Sequence, residues 1–122
     1  MSKQQAHPSP SSAANGVPAL FDRAVRLFNG GQPDQAAPLC QQVLQQQPNH
    51  AHAWQLLGMV HVVGNRPAEA LPALQRALAL NPRQTQILCL LGTVLARLGQ
   101  SEQAIDHFRQ ALALAPQDAN IW

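Results

Sequence analysis

Charged side chains are scarce in this sequence, and that scarcity excludes several kinds of partner. Asp, Glu, Lys and Arg make up 11% of the 122 residues, and the net charge is +2. Lys3 is the single lysine, and the arginines are scattered from Arg23 to Arg109. Nucleic-acid binding normally needs a dense basic surface on one side of a protein. The sequence therefore predicts a protein that binds no nucleic acid.

Cysteines and long apolar segments are also limited. Cys40 and Cys89 lie 49 positions apart and outside any CxxC motif, so neither a disulfide scaffold nor a zinc site is predicted. The N-terminus, MSKQQAHPSPSSAANG, lacks the apolar core of a signal peptide. No segment approaches the ~20 apolar residues that cross a bilayer. We therefore expect reduced thiols, no membrane contact and a cytoplasmic location.

Residues capable of chemistry occur, but not in the spacing that chemistry needs. His50 and His52 lie two positions apart, and His61 follows nine positions later. Zinc sites on helices usually pair histidines at i and i+4 or add cysteines. The sequence has no nucleophile motif and no glycine-rich loop for phosphate. It predicts no enzyme activity, no cofactor and no metal.

What the sequence does contain is a repeating pattern of helix-forming residues. Ala, Leu and Gln are abundant, and all three have high helix propensity. Apolar residues recur at helical spacing from Val17 onward, whereas residues 1–16 are expected to form a disordered tail. Two series of residues share a period of 34: Pro48, Pro82 and Pro116, and Ala36, Ala70 and Ala104. A fixed period indicates stacked supersecondary units.

Glycine, proline and asparagine divide each repeat into two helices. Gly64 and Asn65 tolerate the left-handed conformation that ends helices, and Pro67 suits the first turn of the next helix. In the last repeat Gly99 is the expected stop and Ser101 the expected N-cap. The predicted hairpins are 17–29 with 33–46, 51–63 with 67–80, and 85–98 with 101–114. The predicted fold class is therefore all-α, a solenoid of helical hairpins.

With this period the chain resembles the tetratricopeptide repeat family, whose pattern is W-x2-L-G-x2-Y, then A-x3-F, then P. The second repeat matches at Trp54, Leu57, Gly58, His61, Ala70, Leu74, Ala77 and Pro82. The third matches at Leu88, Leu91, Gly92, Leu95, Ala104, Phe108, Ala111 and Pro116. The first is degenerate, with Leu20, Arg23, Ala24, Leu27, Ala36, Cys40, Val43 and Pro48. The resemblance implies a right-handed superhelix of repeats at 17–50, 51–84 and 85–118, with 119–122 opening a fourth.

The resemblance also implies how the helices of each repeat meet. Gly58 and Gly92 are expected to let the second helix approach closely, with Ala70 and Ala104 as the small partners across that contact. His61 falls where the family keeps a buried Tyr. We therefore expect a packed core histidine there rather than a metal ligand.

In the tetratricopeptide family the first helices of successive repeats line a concave groove that binds peptides. The expected lining here is Phe21, Val25, Phe28, Asn29, His52, Gln55, Met59, Val62, Val63, Gln86, Cys89, Thr93, Ala96 and Arg97. Cys89 is interpreted as a small apolar lining residue, with a reactive thiol as the alternative. Some members bind acidic C-terminal tails with a clamp of Lys, Asn and Arg. The matching positions here carry no basic residue: Phe21, Val25, Leu56, Gln86 and Leu90.

Two kinds of protein fit these expectations. The first is a scaffold or adaptor that holds a peptide or amphipathic helix of another protein in an apolar groove. The alternative is the N-terminal repeat module of a longer enzyme, of the sulfotransferase or glycosyltransferase type, with a catalytic domain beyond Trp122. Helical-repeat RNA binding is a third class, which the low charge disfavours.

The last hairpin carries apolar residues for which the sequence offers no covering neighbour. They are Phe108, Ala111, Leu112 and Leu114. Uncovered apolar faces favour association. We expect either self-association through this C-terminal hairpin or a chain that is a fragment of a longer repeat protein.

Overall fold

The computed structural model describes residues 16–114, which form six α-helices. The helices are α1 (Val17–Asn29), α2 (Pro33–Gln46), α3 (Ala51–Val63), α4 (Pro67–Leu80), α5 (Thr85–Arg97) and α6 (Ser101–Leu114). The predicted helices are confirmed, with two corrections: α5 ends at Arg97, and Ser101 is the first residue of α6 rather than its cap. The predicted fourth repeat at 119–122 and all but the last residue of the predicted tail lie outside the described residues.

Neighbouring helices pack as a row of three hairpins. Helix α1 packs on α2, α3 on α4 and α5 on α6, while α2 also packs on α3 and α4 on α5. The first helices approach one another as well, α1 beside α3 and α3 beside α5. Residues 16–114 contain no strand. The arrangement confirms the predicted all-α solenoid of helical hairpins.

Each turn within a hairpin places one residue in the left-handed region at the same point of the repeat. Gly31 has φ +85°, Asn65 +58° and Gly99 +83°. The N–H of the next residue donates to the carbonyl five residues earlier, at 2.8 Å in all three turns. This bond closes the end of the first helix as in the Schellman motif. Because glycine and asparagine tolerate this conformation, the chain reverses at the predicted places.

The core consists of two clusters of buried apolar side chains. One joins α1, α2 and α3 with Ala73, and the other joins α4 and α5. Trp54 packs against both clusters, and its Nε1 donates to the Pro48 carbonyl at 2.8 Å. Leu20, Leu74 and other buried aliphatic side chains each contribute about 1.5–3 kcal/mol by leaving water. The clusters therefore tie successive hairpins into one stack.

Gly58 and Gly92 allow close helix approach as predicted, but the predicted partners are wrong. A Cβ at position 58 would lie 2.5 Å from Leu74 Cδ2, and one at position 92 would lie 2.6 Å from Phe108 Cζ. The atoms nearest to each glycine thus belong to the residue one turn further along the second helix, Leu74 or Phe108. The predicted partners, Ala70 and Ala104, are buried as well.

Pro38 and Pro72 occupy equivalent positions inside α2 and α4. Proline removes one helical hydrogen bond, and sequence alone predicts a kink or a delayed helix start. Both helices nevertheless begin at their first proline, Pro33 or Pro67, so neither start is delayed. Pro38 and Pro72 are exposed, so their rings disturb no buried contact.

Candidate functional site

The first helices of the three hairpins surround a concavity of about 270 Å³. Its lining comprises Phe21, Val25, Phe28 and Asn29 of α1, His52, Gln55, Leu56 and Met59 of α3, and Gln84 and Gln86 at the start of α5. Most residues of the predicted groove thus come together. Gln84 was not predicted, because it precedes α5 and lies outside the helical spacing used to assign the groove. We call this set of ten residues the groove.

The floor of the groove is apolar and partly open to solvent. Phe21, Val25, Phe28 and Met59 are half-buried, and Leu56 beneath them is buried. Covering such side chains with an apolar partner stabilises the complex by roughly 25 cal/mol per Å² removed from water. The floor therefore exposes part of its apolar surface to solvent.

Side-chain amides stand beside this floor. Gln55 Nε2 of α3 donates to Gln86 Oε1 of α5 at 3.0 Å, which links the second and third hairpins. Asn29 and Gln84 add two further amides to the lining. A primary amide has two N–H donors and an oxygen with two acceptor sites. The groove lining contains no Asp, Glu, Lys or Arg, so its polarity comes from neutral groups and His52.

Two histidines meet Phe21 at one end of the groove. The Phe21 ring lies 5.0 Å from the His50 ring and 6.4 Å from the His52 ring. His50 Nδ1 accepts the Ala53 backbone N–H at 3.0 Å and so caps α3. Burial lowers the pKa of His50; its backbone hydrogen bond opposes this, and His52 adds to the lowering. Sequence reasoning missed this cap because histidine is not among the usual N-cap residues.

The other predicted groove residues lie further along α3 and α5, outside the concavity. Arg97 Nη1 donates to the Val62 carbonyl at 3.2 Å. Thr93 Oγ1 donates to the Cys89 carbonyl at 3.0 Å, and Cys89 is half-buried. Val63 is 61% exposed. None of these residues lines the concavity.

His61 is not the core residue that the repeat pattern predicted. It is half-buried near the end of α3, and its Nδ1 accepts from Arg66 Nε at 3.1 Å. Arg66 also reaches Asp34 of the first hairpin at 3.2 Å and lies 3.9 Å from Glu69. Burial and then Arg66 lower the pKa of His61, against opposing effects of Glu69 and Asp34. A ring nitrogen needs a polar partner. Arg66 supplies that partner here, whereas the apolar core would not.

The potential metal ligands of the described residues are scattered, and one of the two cysteines is buried. Within residues 16–114 no group of three or more His, Cys, Asp or Glu is arranged to hold a metal ion. Cys40 is fully buried, and burial raises its pKa to about 11. Its thiol is therefore protonated and inert at neutral pH. None of the six helices is long and apolar enough to cross a membrane.

A second cleft, of about 390 Å³, lies between α2 and α3 rather than in the groove. It is lined by Gln41, Leu44, Gln45, Pro48, Trp54 and Leu57. Because Trp54 Nε1 already bonds to Pro48, the indole presents mainly its apolar ring there. No residue predicted for the groove lines this cleft.

Family comparisons agree with the architecture. Two tetratricopeptide repeat models match the chain, one at residues 56–119 and the other at residues 27–71. No curated protein matches the sequence.

Solved structures share the fold over most of the chain. MamA 41-end from Desulfovibrio magneticus RS-1 is 26% identical with TM-score 0.85, covering 91% of this chain and 63% of that one. The first TPR of Spaghetti (RPAP3), bound to the HSP90 peptide SRMEEVD, is 19% identical with TM-score 0.81, covering 86% and 83%. A mutant Thermobaculum terrenum O-GlcNAc transferase is 30% identical with TM-score 0.81, covering 94% and 22%. The chain thus spans less than two thirds of the similar MamA chains.

Proposed function

This chain belongs to the tetratricopeptide repeat family, and on that premise we propose that it is a protein-interaction scaffold whose groove holds a segment of another protein. The observation that carries the proposal is the half-buried apolar floor formed by Phe21, Val25, Phe28 and Met59. Half-exposed aromatic and thioether side chains in a concavity are typical of surfaces that bind peptides or helices. Within residues 16–114 no other element covers them.

The groove differs in charge from one that would hold an acidic peptide. In the similar RPAP3 repeat structure the bound HSP90 peptide is SRMEEVD, which contains three acidic residues. The positions of this chain that match the family's clamp for acidic tails are uncharged: Phe21, Val25, Leu56, Gln86 and Leu90. We therefore propose that acidic C-terminal tails are not the ligand here. Val62, Cys89, Thr93 and Arg97 extend the proposed binding surface along α3 and α5.

A capture experiment with a matched control tests the groove. Met59→Asp places a carboxylate on the apolar floor, where a bound partner would have to desolvate it at a cost of several kcal/mol. Ile105→Asp makes the same kind of change on α6, at a side chain that is 48% exposed and remote from the groove lining. We expect proteins captured by the unaltered chain to be retained by Ile105→Asp and lost by Met59→Asp.

The two variants are compared only after their folding has been checked. Circular dichroism and melting temperature should be similar for both, since both replace side chains that the fold leaves partly exposed. If Met59→Asp captures the same proteins as Ile105→Asp, the groove is not the binding surface.

One comparison favours a second candidate function, the repeat module of a longer enzyme. The Thermobaculum terrenum O-GlcNAc transferase is 30% identical over 94% of this chain, which spans 22% of that protein. An antibody raised against the chain would report the mass of the protein in its native cell. A band far heavier than 13.2 kDa that copurifies with transferase activity would favour the enzyme module, and a band of that mass would contradict it.

Self-association through the C-terminal hairpin stays a prediction. On α6, Leu112 and Leu114 are half-buried, and the residues equivalent to Leu112 in the earlier repeats, Leu44 and Leu78, pack against the buried clusters. Sedimentation of the purified chain over a range of concentrations would check it.

A further inference from the structure

We propose that the chain pairs with a second copy of itself as a closed two-fold dimer, in which the two α6 helices run antiparallel. The contact surface is the side of α6 that a following hairpin would cover. Ile105, Phe108 and Leu112 form its centre, and Glu102 and Arg109 lie beside them. We call these five residues the end face. The inference rests on the predicted self-association, whose geometry it specifies, and it is independent of the groove.

The centre of the end face is more exposed than the equivalent positions of the second hairpin. Ile105 is 48% exposed, whereas the equivalent Leu71 packs against a buried cluster. Phe108 is half-buried, whereas the equivalent Leu74 is fully buried. Helix α6 is the last helix of residues 16–114, so within them no later hairpin covers it. Removing this apolar surface from water therefore favours association.

The opposite end of the stack, formed by α1, offers no matching apolar surface. Arg23 and Arg26 of α1 are exposed. At the equivalent positions the later repeats bury apolar side chains: Leu57 with Val60 in α3, and Leu91 with Val94 in α5. A second copy that stacked its α1 on α6 would have to desolvate the two guanidinium groups against apolar side chains.

Such a head-to-tail stack would also bring like charges together. The cleft between α2 and α3 is lined by Gln41 of the first hairpin and Leu57 of the second. The equivalent residues at the two ends of the stack are Arg109 and Arg23. A copy added in the same register would therefore place both arginines at one cleft, and like charges at an interface oppose association. The surface that suits the end face is the end face of a second copy.

The charges of two end faces complement each other when the helices run antiparallel. Glu102 precedes Ile105 by three residues and Arg109 follows it by four, so both lie on the same side of the apolar centre, about two turns apart. A two-fold axis near Ile105 sets Glu102 of each copy opposite Arg109 of the other. Parallel helices would set like charges opposite each other. Neither residue forms an ion pair within residues 16–114, and charges beside an apolar helix contact select its orientation.

Sedimentation equilibrium of the purified chain at low ionic strength tests this inference. We expect a monomer–dimer equilibrium with no larger species, and a monomer for Ile105→Asp. Glu102→Arg and Arg109→Glu each turn both attractive contacts of the dimer into repulsive ones, so each should raise its Kd about tenfold. An equal mixture of these two variants should dimerise nearly as well as the unaltered chain, because unlike charges then face each other again.

Two controls separate this dimer from other arrangements. Arg23→Glu makes the same charge change as Arg109→Glu at the other end of the stack and should leave the Kd unchanged. In a head-to-tail stack it would strengthen association instead. Met59→Asp should also keep the dimer, whereas an end face that occupied the groove of the second copy would be lost from it. Circular dichroism establishes that each variant is folded.

Four results would overturn the inference. They are oligomers that grow beyond the dimer, single charge variants that dimerise like the unaltered chain, a mixture that fails to restore the dimer, and loss of the dimer in Met59→Asp. A chain that stays monomeric would overturn it as well, and would mean that later residues of the chain or another protein cover α6. None of these results bears on the capture of partners by the groove, which Met59→Asp tests separately.

Discussion

The packed contacts of the hairpins and the groove follow different rules across the three repeats. At three packed positions every repeat has a small or short apolar side chain: Ala24, Gly58 and Gly92; Ala36, Ala70 and Ala104; Val43, Ala77 and Ala111. At the positions equivalent to the groove residues Phe21, Val25 and Phe28 the repeats differ in size and polarity: Phe21, Gln55 and Cys89; Val25, Met59 and Thr93; Phe28, Val62 and Ala96. Packing geometry recurs in each hairpin and restricts the first set, whereas nothing in the fold restricts the second. The variable set is therefore the one free to specify a partner.

What the packed face restricts is volume more than residue type. The pairs at equivalent positions are Ala24 with Cys40, Gly58 with Leu74, and Gly92 with Phe108. Where the first-helix residue is larger, the second-helix residue is smaller. Interiors are close-packed, so a gain on one side needs a loss on the other.

The largest expected effect on stability comes from adding volume at Gly58, in the second hairpin. In Gly58→Ala the added Cβ would lie 2.5 Å from Leu74 Cδ2, so the fully buried Leu74 side chain has to shift. Overpacking costs about 1–3 kcal/mol and outweighs the ~1 kcal/mol that alanine gains in helix propensity. We expect a lower free energy of unfolding in urea denaturation.

Leu74→Cys provides the matching change, because the pair then becomes Ala with Cys, as in the first hairpin. Alone, Leu74→Cys leaves a cavity and should lower the free energy of unfolding. The larger truncation, Leu→Ala, costs about 2–5 kcal/mol. Together the two substitutions should cost less than the sum of the single costs, as a double-mutant cycle measures. Strict additivity would mean that the two side chains do not share one volume.

A smaller effect is a loss of folding stability at acid pH, which we expect from two histidines. His50 caps α3 at the end of the groove, and His61 lies half-buried near the end of α3, at the position where the other repeats have Leu27 and Leu95. Both histidines have a pKa lowered below the ordinary 6.5, mainly by burial, so the unfolded chain binds protons more readily. Their contribution to stability is therefore complete above pH 6.5 and is lost as the pH falls below it.

Two substitutions show how much of this loss of stability at acid pH comes from each histidine. Asn caps a helix without titrating in this range, so His50→Asn should remove the part that belongs to the cap. His61→Leu introduces the residue of the other repeats and should remove the part that belongs to the half-buried imidazole of His61. The measurement is the free energy of unfolding at pH 7.5 and pH 5.5 for each variant. If each variant loses as much stability on acidification as the unaltered chain, the two histidines are not responsible.

The smallest expected effect on stability comes from the groove. Gln55→Phe gives the second repeat the residue found at the equivalent Phe21. Surface changes of this kind usually shift stability by less than about 0.5 kcal/mol, so the urea midpoint should hardly move. The proteins captured by the chain should nevertheless change, because a side-chain amide of the groove is replaced by an aromatic ring. A loss of stability as large as that of Gly58→Ala would contradict the distinction between the packed contacts and the groove.

The helices and most of the groove were predictable because their signals are local or periodic. Asn65 and Gly99 reverse the chain beside the helix ends that they set, within a few residues of Pro67 and Ser101. The 34-residue period places residues 21, 55 and 89 at equivalent positions of successive repeats, and the resemblance to the tetratricopeptide repeat family implied that such positions line a groove. The bounds of the repeats and the binding role of the groove residues remain predictions.

The sequence by itself thus determined where helices begin and end, because backbone preferences act over a few residues. Only the tertiary structure decided which side chain lies against Gly58, that Arg66 donates a hydrogen bond to His61, and that Gln55 donates one to Gln86. Gln55 and Gln86 are 31 residues apart, and Arg66 and Asp34 are 32 residues apart. Contacts over such distances depend on how whole hairpins stack and on how far each side chain reaches. No local preference carries that information.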